Sequence, residues 1–337
     1  MADLRTTYMG LELKNPIVVG ASGLTANIDS IKMLEENGAG AIVIRSLFEE
    51  QIQLERFKLE EDLERESGRN AEMVNIYPHI EHGGAEEHLM WTRKARKAVS
   101  IPVIASLNAV NRETWVEYAI QLASTGVDGL ELNFYAAPMD AQQDGASLEK
   151  EQLDILKEVV ESVSIPVSVK LSPFYSNPLQ VIARMDEAKA RGLVLFNRMF
   201  QPDIDIKTEK ITHPFHFSTS EDNKLSLRFA GLLYGETAAD ICAATGVHNG
   251  EDVIKLLLAG AGCVQVVSTL YKQKASHLQT MLGEIEHWMA QDGYTNLDDF
   301  RGKLSQRELR DPFAYTRAQY VKLLFSTEKL LASNRID

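Results

Sequence analysis

The chain is short of positive charge: 35 Lys and Arg stand against 48 Asp and Glu, a net charge of -13 over 337 residues. A phosphate-backbone partner needs a basic face, so nucleic acid is excluded as a partner. Cysteine is nearly missing; the two present, Cys242 and Cys263, each sit in an apolar strand-like run and read as small core residues without a disulfide or a metal. No stretch approaches the roughly 20 apolar residues of a membrane helix, and the opening MADLRTTYMG has no apolar secretory core, so a cytoplasmic location is expected. GxSxG, HExxH and P-loop patterns are absent. His79 with His82 and His213 with His216 have zinc-like spacing but no compact cysteine or carboxylate set beside them, so they read as surface hydrogen-bonding groups and no metal is expected. No low-complexity linker breaks the chain, and residues 1–337 read as a single domain.

What is present is a repeating unit of apolar strand followed by helical spacing. The strand-like runs are 17–22, 41–46, 102–107, 129–134, 166–171 and 192–197, then ADICAATG and CVQVVST, with helices expected over 112–124, 148–163 and 178–190 and in GEDVIKLLLAG. Eight strands alternating with helices give an α/β fold, a TIM (β/α)8 barrel. Ahead of it, residues 5–16 turn at Met9-Gly10 and suggest an N-terminal hairpin that plugs the barrel floor. Two long excursions follow strand ends: Leu47 to Gly84, expected to act as a lid, and Arg198 to about Asn223. From about Ala275 a C-terminal helical extension is expected, with AYTRAQYVKLLFSTEKLL packing outside the barrel or against another subunit.

Three of the runs end in polar side chains: GLELN in Asn133, PVSVK in Lys170 and GLVLFN in Asn197. In a parallel barrel the strand ends gather at one mouth, so these groups converge on one ligand. Two carboxamides that both donate and accept suit a planar heterocycle. Lys170 supports two chemistries: an ammonium stabilising negative charge on a cofactor, or a Schiff-base nucleophile. Gly246 and the backbone amides around Ser268 and Thr269, at the ends of the last two strands, form an expected anion cradle.

The succession TTYMGLELKNPIVVGASGLT, AIVIRS, ELNFY, PVSVKLSP, VLFNR and HNGEDVIKLLLAGAGCVQVVSTL resembles, across most of residues 5 to 271, the soluble FMN-dependent class of dihydroorotate dehydrogenases. The resemblance implies an FMN-binding barrel that oxidises dihydroorotate to orotate in pyrimidine biosynthesis, or a related small acidic cyclic substrate, by hydride transfer to flavin. It implies that Ala21, Ser22 and Gly23 lie along the flavin ring, that Lys170 favours the anionic reduced flavin, and that Asn108 and Asn133 contact flavin or substrate. Asn75 and Asn197 become substrate-binding amides, and Gly246, Ser268 and Thr269 the phosphate grip. A homodimer and an electron-transfer partner are also implied.

Departures from the family pattern qualify the activity. Ala136 stands where the family has its catalytic cysteine or serine, and Pro138 where it has a substrate-binding amide. Removal of a proton beside the departing hydride then needs another group, for which Tyr135, Asp140 and Asp144 are the candidates. Arg45 replaces a lysine that contacts flavin and substrate, and Arg198 replaces a serine; both are expected to clamp a carboxylate. Two alternatives stand beside the dehydrogenase: a flavin-binding subunit without dihydroorotate chemistry, and a Schiff-base aldolase using Lys170.

Overall fold

The computed structural model describes residues 2–53, 84–135, 141–214 and 216–325. Short β-branched and aliphatic runs make its strands, which in chain order are β1 Thr6–Tyr8, β2 Leu11–Leu13, β3 Ile17–Val19, β4 Ala41–Val43 and β5 Leu47–Phe48. There follow β6 Val103–Asn108, β7 Gly129–Asn133, β8 Val167–Leu171, β9 Gly192–Leu195, β10 Asp203–Asp205, β11 Lys210–Thr212, β12 Asp240–Ala244 and β13 Cys263–Val266. Eight of them pair in parallel in the order β4-β3-β13-β12-β9-β8-β7-β6, and β4 pairs back to β6 through Ile42↔Val103 and Val43↔Ile104, which closes the barrel. Helices between the strands cover the outside, as parallel pairing requires.

The pleat sorts side chains by parity. Leu130, Leu132, Val167, Val169, Leu193, Leu195, Val264 and Val266 join the large core between barrel and helices. The opposite parity faces inward, where Val18, Val43, Ile104, Val194, Cys242 and Cys263 form a second core with Tyr8 and Met9. Both cysteines are thus buried thiols on adjacent strands.

Tyr8 and Met9 reach that inner core because β1 and β2 form the expected hairpin, turning through Met9 at φ 58° and Gly10 at φ 79°. This is the pair of left-handed residues that a two-residue hairpin loop needs. The Met9 amide donates to Asp240 at 2.7 Å, tying the plug to β12. Tyr8 lies against Gly192, where a built Cβ would come within 2.6 Å of the phenol oxygen.

Five strands stop two or three residues before the end of their apolar runs, β3 at Val19, β4 at Val43, β9 at Leu195, β12 at Ala244 and β13 at Val266, whereas β7 and β8 end within one residue of expectation and β6 runs one residue beyond it. Ser268 does not extend β13 but opens the short helix Ser268–Gln273. The excursion after β9 contains the antiparallel pair β10–β11, and the helix Lys224–Leu233, which the sequence reading did not resolve, leads into β12. The expected lid falls mostly outside the described residues. Near the C-terminus, Tyr315 packs on Gly231 and donates to the Leu304 carbonyl, while Leu324 and Phe325 of the helix Arg317–Phe325 are exposed. Among the described residues no helix is long and apolar enough to cross a membrane.

Two stability tests follow. Gly192→Ala drives a methyl into the Tyr8 ring and is expected to lower unfolding free energy by about 1–3 kcal/mol, read by urea denaturation; an unchanged midpoint would mean the plug can move aside. On the helix Ala85–Ala98, the Nε2 of His88 is buried with no hydrogen-bond partner among the described residues, and burial first, then the Arg45 guanidinium, depress its pKa from 6.5 to about 4. The unfolded imidazole therefore binds more protons between those values, and stability falls as pH drops from 6.5 toward 4. His88→Phe is expected to flatten stability over that window, and an unaltered pH slope would assign it to other groups.

Candidate active site

Inward parity on three strands places Glu131 and Asn133 of β7, Ser168 and Lys170 of β8 and Gln265 of β13 inside the barrel, stepping toward the mouth. Asn133 and Lys170 are register partners. The Lys170 ammonium donates to Gln265 Oε1 at 3.0 Å, and the Gln265 amide nitrogen donates to the buried Glu131 carboxylate. Above them the carboxamides meet. Asn197 Nδ2 donates to Asn133 Oδ1 at 2.6 Å, and Asn108 Nδ2 donates to the Asn133 carbonyl at 3.0 Å. The structure therefore gathers Lys170, Asn108, Asn133 and Asn197 from four strand ends.

Beside this cluster opens a cleft that faces solvent. Ala21, Lys170, Asn197 and Gln265 form its inner wall, and Thr245, Gly246, Val247, Val267 and Ser268 its far end. Arg198, Phe200, His216 and Ser218, all from the excursion after β9, overhang it. The described wall carries Lys170, Arg198 and His216 and no carboxylate.

The far end is a cradle of backbone. Thr245 has φ 73° and Gly246 φ 78°. A β-branched residue in that region is strained, and the Thr245 hydroxyl is pinned to the Phe196 carbonyl at 3.0 Å. Gly246 is required because any Cβ would strike the backbone of Asn223. Among the described residues the amides of Gly246, Val247, Ser268 and Thr269 have no acceptor in the chain. Ser268 Oγ accepts from the Ser218 amide at 3.3 Å, Lys272 donates to the Ser218 carbonyl at 2.8 Å, and Ser218 Oγ lies 3.1 Å from His248 Nε2. These three contacts hold the strap over the cradle. Burial, followed by the Lys272 charge, lowers the His248 pKa and favours the neutral ring.

Other residues named from the sequence lie elsewhere. Ser22 is occupied in a capping box, accepting from the Leu24 amide and receiving Thr25 Oγ1 at its own N–H, and Gly23 packs under the Tyr271 hydroxyl. Of the Ala21-Ser22-Gly23 trio, Ala21 lines the cleft. The Thr269 side chain is buried and bonded to the His248 carbonyl at 3.2 Å, which leaves its amide for the cradle. Arg45 is absent from the cleft wall and sits near His88. Arg198 is on the wall, with one guanidinium nitrogen bonded to the His216 carbonyl. Tyr135 is turned away, its hydroxyl accepting from the Phe200 amide at 3.1 Å, and Asp144 caps the helix Gly145–Ser162 through the Ser147 amide. Neither lines the cleft. Asn75, His79, His82, Ala136, Pro138 and Asp140 lie outside the described residues. Among those described, no group of three or more His, Cys, Asp or Glu is arranged for a metal.

Glu131, Gln265 and Ser218 belong to the candidate site but were not singled out in the sequence, and His216 was noted there only for its spacing with His213. For Glu131 and Gln265 a signal existed: each interrupts an apolar strand, and Glu131 shares the parity of Asn133. His216 and Ser218 sit in a segment without period, where sequence offers no direction.

The sequence model of the family described as dihydroorotate dehydrogenase matches residues 3–289. The chain is 26% identical over 317 residues to a protein of Thermoplasma volcanium named dihydroorotate dehydrogenase B (NAD(+)), catalytic subunit, covering 91% of this chain and all of that one. It is 29% identical over 309 residues to a putative dihydroorotate dehydrogenase A (fumarate) of Aeropyrum pernix, covering 89% of this chain and 97% of the other. A catalytic subunit of the same B type from Shouchella clausii is 23% identical over 309 residues, with 90% and 98% covered. With most of its length matched, on the barrel and mouth described above, the chain belongs to the dihydroorotate dehydrogenase family.

Proposed function

We propose that the chain is an FMN-dependent oxidoreductase that oxidises the CH–CH bond of dihydroorotate, giving orotate, or of a closely similar small cyclic acid. The observation that carries this reading is the division of one cleft into two chemistries: a cradle of unpaired amides at Gly246, Val247, Ser268 and Thr269, and an ammonium with paired carboxamides at the opposite wall. A mononucleotide flavin needs both, an anion grip for its phosphate and hydrogen-bonding groups for its ring.

Bound flavin supplies the acceptor for the hydride that leaves the substrate carbon. Lys170 holds a positive charge where the reduced ring carries negative charge, which favours reduction. Asn133 and Asn197 are already bonded to each other at 2.6 Å, so they present a fixed pattern of donors and acceptors to a flat ligand. Arg198 overhangs the wall and adds positive potential, and the absence of a described carboxylate there leaves that potential uncancelled. An anionic substrate fits this surface. Tyr135 and Asp144, turned away from the cleft, leave the proton acceptor to a residue not yet assigned. The placement of Arg45 near His88 supports a clamp by Arg198 alone.

An electron-transfer partner is part of this reading, supported by the name catalytic subunit that the B-type relatives carry; a cytoplasmic location and a homodimer belong to it only through the family resemblance. The Schiff-base alternative is disfavoured by the Lys170 nitrogen being held as a donor to Gln265, in a chain of contacts that ends on the Glu131 carboxylate.

The purified protein is expected to show a flavin spectrum that bleaches on anaerobic addition of dihydroorotate. A colourless protein that cannot be loaded with FMN would sink the reading, and a coloured one bleached by no pyrimidine would favour the subunit without this chemistry. Arg198→Ala is expected to weaken binding of orotate and similar carboxylates by about 10- to 100-fold, from a charged hydrogen bond of roughly 1.5–3 kcal/mol. Unchanged affinity by flavin-difference titration would remove Arg198 from substrate recognition.

A further inference from the structure

We infer that Glu131 is a positioning residue for Lys170, acting through the side-chain amide of Gln265. The three side chains come from β7, β13 and β8 and form one continuous chain across the barrel interior: ammonium to amide oxygen at 3.0 Å, amide nitrogen to carboxylate. Glu131 and Gln265 are 1% and 3% exposed, so neither contact is exchanged with bulk water.

The order of the chain is imposed by valence. An ammonium offers only donors and a carboxylate only acceptors, so Gln265 must point its oxygen at Lys170 and its nitrogen at Glu131. The negative end below fixes the amide, and the amide fixes the lysine. Without Glu131 the amide has no reason to keep that orientation, and its NH2 can turn to face the ammonium. The second Glu131 oxygen is buried and has no partner among the described residues, so this carboxylate is not a saturated core ion pair. Its register partners on the flanking strands are Ser106 and Ser168, whose hydroxyls are engaged with Ser46 and with the Leu130 carbonyl, and among the described residues neither bonds to the carboxylate. A buried carboxylate in such surroundings stands on the electrostatics of what it reaches, and what it reaches is the lysine at the mouth.

The assignment builds on the flavin reading for its purpose but is tested without flavin. In the full-length, flavin-free chain, Lys170 acylation by acetic anhydride is followed by peptide mass spectrometry, with Lys32 and Lys303 as internal references. In Glu131→Gln the Gln265 amide loses the anchor that orients it toward Lys170, and in Gln265→Met the lysine loses its acceptor outright, so in both the amine is freer to meet the reagent. Both are expected to raise the Lys170 rate at pH 8 by about 3- to 10-fold relative to the references. Wild-type labelling of Lys170 in folded variants would overturn the inference, and so would loss of fold in both, which would make Glu131 a folding residue. Should one variant alone fail to fold, the other decides. Adding FMN to the wild-type chain is expected to protect Lys170 from label. Absence of protection counts against the flavin reading and leaves the comparison between variants intact.

Discussion

Closure of the sheet between β4 and β6 is the constraint on which the site depends. Two register pairs, Ile42↔Val103 and Val43↔Ile104, join the second strand of the repeat to the third and bend eight parallel strands into a ring. All their C-terminal ends then open on one side. Asn108, Asn133, Lys170 and Asn197 are separated by up to 89 residues in the chain; the consecutive pairing of β6, β7, β8 and β9 sets them side by side, and closure brings Gln265 of β13 across the interior to Lys170. Parity does the rest: a one-residue slip on β8 would send Lys170 into the helix-facing core and Val169 into the mouth.

The barrel was legible because its signal is redundant. Eight apolar runs with helical segments between them can be misjudged at their edges and still count as eight. The Met9-Gly10 turn was equally plain, since left-handed backbone at both positions leaves a composition trace. The site was half legible. A lysine or asparagine that ends an apolar run is conspicuous, which is how Lys170, Asn133 and Asn197 were found. Polar residues inside a strand are less conspicuous: Glu131 and Gln265 mean little until the strands are adjacent, because their partner is each other. The overhang was legible only at Arg198, which follows a strand end. His216 and Ser218 are placed by the path of an irregular segment, and that path is set by contacts such as Ser218 to Ser268 and Lys272, which carry no period. Arg45 shows the opposite error. Its position at a strand end pointed to the ligand, but the helix Ala85–Ala98 brings His88 alongside it.

The charge distribution gives the mouth its character. An acidic chain repels anions on average, so an anionic ligand approaches only where cations are concentrated and acids are missing. Lys170 and Arg198 meet that condition on the described wall. The amide cradle adds directional donors without further cationic side chains, and it is built from strained or glycine-dependent backbone at Thr245 and Gly246. Strain of this kind persists where surrounding contacts over-determine it. Here the Thr245 bond to Phe196 and the close approach of Asn223 do so.

The interior below the mouth is therefore two environments in one tube. At the floor, Tyr8, Met9 and the two cysteines pack as hydrocarbon would, and the hairpin excludes water. Midway, Glu131 introduces a charge that such packing disfavours by itself, since an ionised carboxylate in low dielectric is costly. It is tolerated because Gln265 and Lys170 stand directly above it, so the cation that serves the ligand also serves the fold. The dependence runs in both directions. Removing Lys170 leaves a buried carboxylate joined to an amide with no cation beyond, so the mouth chemistry and the stability of the upper barrel are coupled through one glutamine.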